Sequence, residues 1–363
     1  MPADIMQFVP ILVVGFAASM GLTPLSRQIA MRLGVVDKPN QRKVHLDHKP
    51  MMGGLAIYAA MVLAVLLFSP ARHLRELAMV LVGAAFLALV GLIDDRYELS
   101  ARAKLSAQIV AILGIALIGG IRVNLFGHVL LDTGVTIIWM GLIINAINYM
   151  DNMDGLTAGI SAIAAAFFMV IAIAQGLSLV SSLAAALLGS ALGFLVHNFN
   201  PASTFMGDMG SMVLGFILSI LAIKLRFDQP ISWEWFAPVF VLALPLFDIT
   251  LVSLTRIAEK RSPFQPGKDH TSHRFWLGLG LPPRLTLVVM YSLCALFGLL
   301  GYGVSTVPAE STLQVIGLGL GLLMALAVLM IWIRRRFQQP TASGTLPATP
   351  PVTPVEQMLE NGH

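Results

Sequence analysis

Long apolar runs, each closed by a short polar stretch, recur from one end of this chain to the other. Windows of roughly 18 or more apolar residues suit helices that cross a bilayer. They predict eleven helices, at roughly 5–25, 51–69, 76–93, 104–121, 134–150, 156–175, 178–197, 209–225, 235–256, 285–303 and 313–333. The pattern predicts an all-α, polytopic membrane bundle over residues 1–336 as one domain. From 337 to 363 the apolar rhythm stops. The Pro/Thr-rich run there, with Gln339-Pro340 and Pro347-Ala348-Thr349-Pro350-Pro351, predicts a disordered tail. Arg122 to Thr133 alternates weakly around Gly127 and predicts a short hairpin. No internal repeat is present.

Composition agrees: 57% of residues are hydrophobic, 12% are charged, and mean hydropathy is +0.82. The single cysteine, Cys294, lies inside an apolar window, which rules out an intrachain disulfide and a thiolate metal site. Basic residues set the orientation. With the N-terminus outside, 18 of the 23 Lys and Arg fall on the inner side, and Arg72, Arg75, Arg122, Lys224 and Arg226 remain near the outer side. An excess of Lys and Arg marks cytoplasmic loops, so the N-terminus is expected outside and the C-terminus inside. No basic residue precedes Arg27, which argues against a cleaved signal peptide. The net charge of +4 comes from these inner loops. It therefore points to orientation and anionic ligands, with no nucleic-acid partner.

Against this background the acids stand out. Carboxylates at the ends of membrane segments are costly and default to a functional reading. Asp94 and Asp95 close the third window, where the helix dipole disfavours acids and adjacent carboxylates repel; a nearby cation would resolve both problems. Asp151 and Asp154 open the sixth window, three apart and therefore on one face if helical, beside Asn148. Gly155 permits close backbone approach of a ligand. Asn198, Asn200 and Asp208 precede the eighth window, and Gly207 and Gly210 bracket Asp208 at a helix N-terminus suited to a phosphate. Asp269, His270, His273 and Arg274 lie in the longest inner loop, a set suited to pyrophosphate contact. Arg42, Lys43 and Lys49 add a basic stretch in the first inner loop. Asp248 lies deep in a window, and either lining the mouth of the site or pairing with Arg256 accounts for it.

All five groups fall on one side, the layout of a single cytoplasmic active site. Asp94, Asp95, Asp151 and Asp154 are the candidate catalytic acids. Arg42, Lys43, Lys49, Asn148, Asn198, Asn200, Asp269, His270, His273 and Arg274 are the candidate substrate contacts. Oxygen-rich, sulfur-free donors select Mg²⁺, with Mn²⁺ as the alternative.

Taken in order, these motifs resemble the polyprenyl-phosphate N-acetylhexosamine-1-phosphate transferases of the glycosyltransferase family 4 type. The matching pieces are Asp37-Lys38-Pro39-Asn40-Gln41-Arg42-Lys43-Val44-His45, Pro50-Met51-Met52-Gly53-Gly54, Asp94-Asp95, Asn148 with Asp151-Asn152-Met153-Asp154-Gly155-Leu156, Asn200-Pro201-Ala202, Phe205-Met206-Gly207-Asp208 with Gly210-Ser211, and the His270/His273 loop. The resemblance covers roughly residues 20–335. It implies transfer of a sugar-1-phosphate from a UDP-N-acetylhexosamine to undecaprenyl phosphate, with release of UMP and use of Mg²⁺, in the bacterial plasma membrane. The product would feed cell-wall, lipopolysaccharide or O-antigen synthesis. The resemblance also implies Asp94 and Asp95 at the lipid phosphate or metal, Asp208 on the metal, Asn148, Asp151 and Asp154 near nucleotide and metal, and the His loop on the donor. The family's loop usually reads His-x-His-His, and Ser272 stands at the third position here. The loop lacks the three consecutive histidines of the muramoyl-pentapeptide branch, which favours a UDP-N-acetylhexosamine such as UDP-GlcNAc. The choice of hexosamine, and that between monomer and homodimer, stay open.

Two rivals are weaker. A CDP-alcohol phosphatidyltransferase shares Asp151-x-x-Asp154-Gly155-x-x-Ala158, but Gly159 stands where that signature needs Arg, and its downstream acids are missing from 164–174. A membrane transporter of a phosphorylated solute would place its ionisable residues near the midplane.

Overall fold

The computed structural model describes residues 5–37, 49–68, 73–227, 232–263 and 267–337. The chain is an all-α, polytopic membrane protein. Its helices are α1 (Val9–Leu33), α2 (Gly53–Phe68), α3 (Leu74–Tyr97), α4 (Ala101–Leu113, continued by a π-helical turn Gly114–Ile118), α5 (Val129–Met150), α6 (Leu156–Ala174), α7 (Ser178–Asn198), α8 (Gly207–Ile223), α9 (Phe236–Val241), α10 (Ala243–Ala258), the single turn α11 (Thr271–His273), α12 (Pro283–Thr306) and α13 (Ala309–Phe337). Each of the eleven apolar windows has a helical counterpart, with α9 and α10 sharing one. Eight of the described helices are long and apolar enough to cross a membrane; α9 and α10 form a further pair bent by 79°, and α2 and α8 are shorter apolar helices. The sheet among the described residues is one antiparallel pair, β1 (Val36–Asp37) on β2 (Lys49–Pro50), beside the C-terminal end of α1.

α8 shows where the core lies. A helix apolar on every side belongs inside a bundle, and from Met209 to Ile223 every residue of α8 is buried. α2, α3 and α5 enclose it, while α7 packs against α1, α2 and α6. Its first turn is held unusually close to α3: a Cβ on Gly91 would collide with the backbone of Asp208 and Met209. Small residues that let backbones approach are how membrane helices gain van der Waals contact.

Several boundaries differ from the sequence reading. α1 continues about two turns past its apolar window, through Arg27 and Arg32, until Gly34 stops it in the left-handed conformation (φ 69°). Residues 151–155 are not helical. α5 ends at Met150 and α6 starts at Leu156, so Asp151 and Asp154 sit in a tight connector instead of on one helix face. The expected hairpin at 122–133 is also absent. Asp132, in the first turn of α5, instead accepts from the Leu125 and Phe126 amides at 3.1 and 2.9 Å, so a side chain organises the loop in place of a strand ladder. The tail from 338 onward lies outside the described residues, as do Arg42 and Lys43; Phe337 ends α13.

Candidate active site

Four helix ends converge on one polar cluster. Asp94 and Asp95 occupy the last turn of α3, Lys104 the first turn of α4, Asn148 the last turn of α5, and Asp208 with Ser211 the first turn of α8. The Lys104 ammonium bridges two of the acids, pairing with Asp94 and lying 2.5 Å from Asp208 Oδ2. Asn148 Nδ2 donates to Asp208 Oδ1 and to Ser211 Oγ, both at 2.9 Å. Asp94 Oδ1 accepts from the Leu99 amide at 2.7 Å. The cation that the Asp94-Asp95 pair calls for is therefore Lys104. The adjacent Arg96 turns away and donates to the Leu33 carbonyl.

Asp95 has a different task. Its two carboxylate oxygens accept from the Asp208 and Met209 amides at 2.8 and 3.3 Å, so α3 caps the N-terminus of α8. Two amides of the phosphate cradle expected at Gly207–Gly210, those of Asp208 and Met209, are therefore taken by Asp95. Gly207 makes the arrangement possible. Its φ is 69°, and a Cβ there would run into the Asp95 carboxylate and the Met51 carbonyl.

The 151–155 connector is the second layer. Burial first, and then the charge of Asp208, push Asp151 up to about 7. Asp154 Oδ2 accepts from the Ala202 amide (2.9 Å) and from Asn200 Nδ2 (3.2 Å), which fastens the connector to the loop after α7. Asn198 spans the same junction, accepting from the Gly155 amide at 3.1 Å and donating to the Thr204 carbonyl at 2.9 Å. Lys49 donates to the Ala202 carbonyl. Lys49, Asn198, Asn200 and Asp154 are thus brought together, Asn200 on Asp154 and the others on backbone groups of the same junction.

The His loop forms the third layer. Arg256 grips Asp269 through two hydrogen bonds of 2.9 and 2.6 Å. Burial alone would raise Asp269, but these bonds outweigh it and hold the carboxyl down at about 2. Arg256 therefore pairs with Asp269 and not with Asp248. Arg274 is buried at 4% exposure, and its guanidinium is spent on the Asp269 and Met330 carbonyls (2.9 and 3.0 Å) and Thr255 Oγ1 (3.3 Å). Asp269 and Arg274, expected at the pyrophosphate, spend the hydrogen bonds they make here on shaping the loop. Ser272 Oγ donates to Asn152 Oδ1 at 2.7 Å and ties the loop to the connector. His270 meets the Tyr149 ring edge-on at 5.9 Å and lies 6.0 Å from the His273 ring. Burial, followed by the charge of His270, lowers His273 to about 4, so it is neutral at pH 7, and its Nδ1 is a buried atom without a hydrogen bond.

Among the described residues no three His, Cys, Asp or Glu converge tightly enough to hold a metal. The donor chemistry nonetheless fits a hard divalent cation. Oxygens of Asp94 and Asp208 already share one positive charge, that of Lys104, and Asp151 feels the charge of Asp208.

Comparison with known proteins decides the family. Residues 77–226 match glycosyl transferase family 4. A protein of Bacillus subtilis named a probable undecaprenyl-phosphate N-acetylglucosaminyl 1-phosphate transferase is 36% identical over 77% of this chain and 79% of its own length. The chain belongs to glycosyl transferase family 4. The decaprenyl-phosphate N-acetylglucosaminephosphotransferase of Mycolicibacterium smegmatis is 31% identical to this family 4 chain, over 85% of it and 84% of the relative. The undecaprenyl-phosphate alpha-N-acetylglucosaminyl 1-phosphate transferase of Yersinia pestis is 27% identical over 81% and 84%. The family 4 match runs from within the first turn of α3 to just past the end of α8 and contains the whole Asp94–Lys104–Asn148–Asp208 cluster. Lys104 was missed in the sequence because it looks like an ordinary basic residue opening a helix. Its one signal is its place in the first turn after the Asp94-Asp95 pair.

Proposed function

We propose that this chain transfers N-acetylglucosamine-1-phosphate from UDP-N-acetylglucosamine to undecaprenyl phosphate, releasing UMP. The relatives' names support the substrates: undecaprenyl or decaprenyl phosphate as acceptor and N-acetylglucosamine phosphate as the group moved. The observation that carries the reading is the cluster in which Lys104 bridges Asp94 and Asp208 at the meeting point of four helix ends. Eleven spans, with the N-terminus outside and the site facing the cytoplasm of a bacterial plasma membrane, fit the 18-to-5 partition of basic residues.

In the reaction an acceptor phosphate oxygen attacks the sugar-bearing phosphorus of the donor. The bond from that phosphorus to the bridging oxygen breaks, and UMP leaves with the electron pair. A phosphate monoester has a second pKa near ~6, so the acceptor is largely dianionic at pH 7 and needs little help from a base. Asp94 and Asp208 accordingly hold and orient charge, with Asn148 fixing the Asp208 carboxylate. Asp208, with Asp94 and Asp151 near it, would offer carboxylate oxygens to Mg²⁺ or Mn²⁺, which when bound would supply neutralisation of the charge that builds on the pyrophosphate. Lys104 provides a second positive charge at the same end, and His270 offers a donor-side contact. The test is purified protein with undecaprenyl phosphate, Mg²⁺ and a panel of UDP-sugars, scoring UMP release. UMP should appear with UDP-N-acetylglucosamine and depend on the lipid. Its absence with every UDP-N-acetylhexosamine would overturn the assignment.

A further inference from the structure

Asp248 takes no part in the cluster of helix ends, yet it is the most completely enclosed acid of the cytoplasmic half, with 0% of its surface exposed. It lies in α10, just past the 79° bend from α9. A carboxylate there is costly unless its oxygens are satisfied. Both are: Oδ1 accepts from the Thr271 amide at 2.6 Å, and Oδ2 lies 2.7 Å from His270 Nδ1. The two bonds hold consecutive residues of the His loop, one by its backbone and one by its ring.

The ring bond has a chemical consequence. A carboxylate only accepts, so the short Oδ2 contact requires a proton on His270 Nδ1. That assignment leaves Nε2 as the working nitrogen. Among the described residues no hydrogen bond reaches Nε2, which is the ring nitrogen left to meet a ligand. The Tyr149 ring edge at 5.9 Å and the Thr271 bond limit rotation of the imidazole.

We infer that Asp248 is a positioning residue that acts through His270, fixing the ring with Nδ1 protonated and Nε2 presented to a phosphate oxygen of the nucleotide-sugar. The inference rests on the proposed transfer reaction for its ligand, but not for its geometry. Partners that orient a metal-ligating histidine are typically worth about 10–100-fold in affinity or activity, and an effect of the same size is expected for a histidine that must present one nitrogen to a phosphate. Asp248→Asn is the informative change: it keeps the shape and can still accept from the Thr271 amide, but its amide nitrogen can face the ring and favour the other tautomer.

The test compares Asp248→Asn, His270→Ala and the double variant in steady-state UMP release, alongside ¹⁵N NMR of histidine-labelled protein. The His270 signals are assigned by their loss in His270→Ala. Wild-type His270 should carry its proton on Nδ1, and Asp248→Asn should shift it towards Nε2. Asp248→Asn should lower kcat/KM about 10- to 100-fold, and the double variant should be no worse than His270→Ala alone. Multiplying losses would show that Asp248 acts independently of His270 and overturn the inference. So would a wild-type His270 protonated only on Nε2. If wild-type protein releases no UMP, the reaction assignment fails, while the NMR comparison still decides whether Asp248 sets the tautomer.

Discussion

Lys104→Met isolates the charge at the centre of the site. Methionine keeps most of the stem and removes the ammonium that Asp94 and Asp208 share. At 2.5 Å and an effective dielectric constant of about 20, one such pair is worth roughly 6–7 kcal/mol of Coulomb attraction before desolvation is subtracted. Breaking a buried pair by removing one partner costs about 3–5 kcal/mol net. Lys104 keeps 26% of its side chain exposed, which puts the expected loss near the lower end, about 3 kcal/mol. A divalent cation should offset that loss by replacing the missing charge. The assay is the apparent unfolding temperature of purified wild type and variant, each in EDTA and in Mg²⁺. The variant should be markedly less stable in EDTA, and Mg²⁺ should raise its unfolding temperature more than that of wild type, because no lysine competes for the carboxylates. Equal Mg²⁺ shifts in the two proteins, or a variant as stable as wild type in EDTA, would refute the reasoning.

Other outcomes follow from the same geometry. EDTA should abolish UMP release, with rescue by Mg²⁺ or Mn²⁺, and Asp208→Asn should lower kcat by at least about 100-fold, comparable to the loss of one strong electrostatic stabiliser; full activity in EDTA would exclude the metal. His273, lowered by burial to about 4 in the fold from about 6.5 when unfolded, takes up its proton more readily in the unfolded chain. Stability should therefore fall as pH drops from about 6.5 towards 4, by up to about 3 kcal/mol, and His273→Phe should flatten that slope in a pH series of thermal melts. For topology, Lys268→Cys in a Cys294→Ala background should resist an impermeant thiol reagent in intact cells and react once the membrane is opened; labelling of intact cells would place the His loop outside.

The helices were legible in the sequence because bilayer length and apolarity impose a signal that side-chain detail cannot hide. Even the short α8 and the bent α9–α10 pair announced themselves as windows at 209–225 and 235–256. The acids were legible for the converse reason: in so apolar a chain Asp94, Asp95, Asp151, Asp154 and Asp208 had to be there for something. Their division of labour was not legible. Whether Asp95 faces a ligand or caps α8 depends on how closely Gly91 lets α3 approach, a tertiary distance with no local sequence signal. The Asp269–Arg274 run is ambiguous in sequence for a related reason. A loop that binds pyrophosphate and a loop that neutralises itself have the same composition, and only the positions of Arg256 and Met330 tell them apart.

That division bears on where a substrate can act. Asp95, Asp269, Arg256 and Arg274 have their hydrogen-bonding atoms committed to backbone or to each other, so displacing any of them would cost an unpaired buried group, about 1–3 kcal/mol or more if charged. A phosphate or metal arriving at the site cannot readily compete for them. Lys104 is different: it is a flexible, partly exposed chain at the start of a helix, paired only through its terminal nitrogen. Asp151 is held at about 7 beside Asp208, a state that an added cation would relieve, and His270 has one nitrogen fixed and one open. These three positions lie on α4, on the 151–155 connector and on the His loop, so a ligand that engages all of them must bridge three separate parts of the fold. A nucleotide-sugar, the donor proposed above, carries its negative charge in the middle. The scaffold charges are tied to backbone or to each other, whereas those of Lys104, Asp151 and His270 stand where an added cation or phosphate would change their balance, which is why the functional reading rests on these three more than on the number of acids.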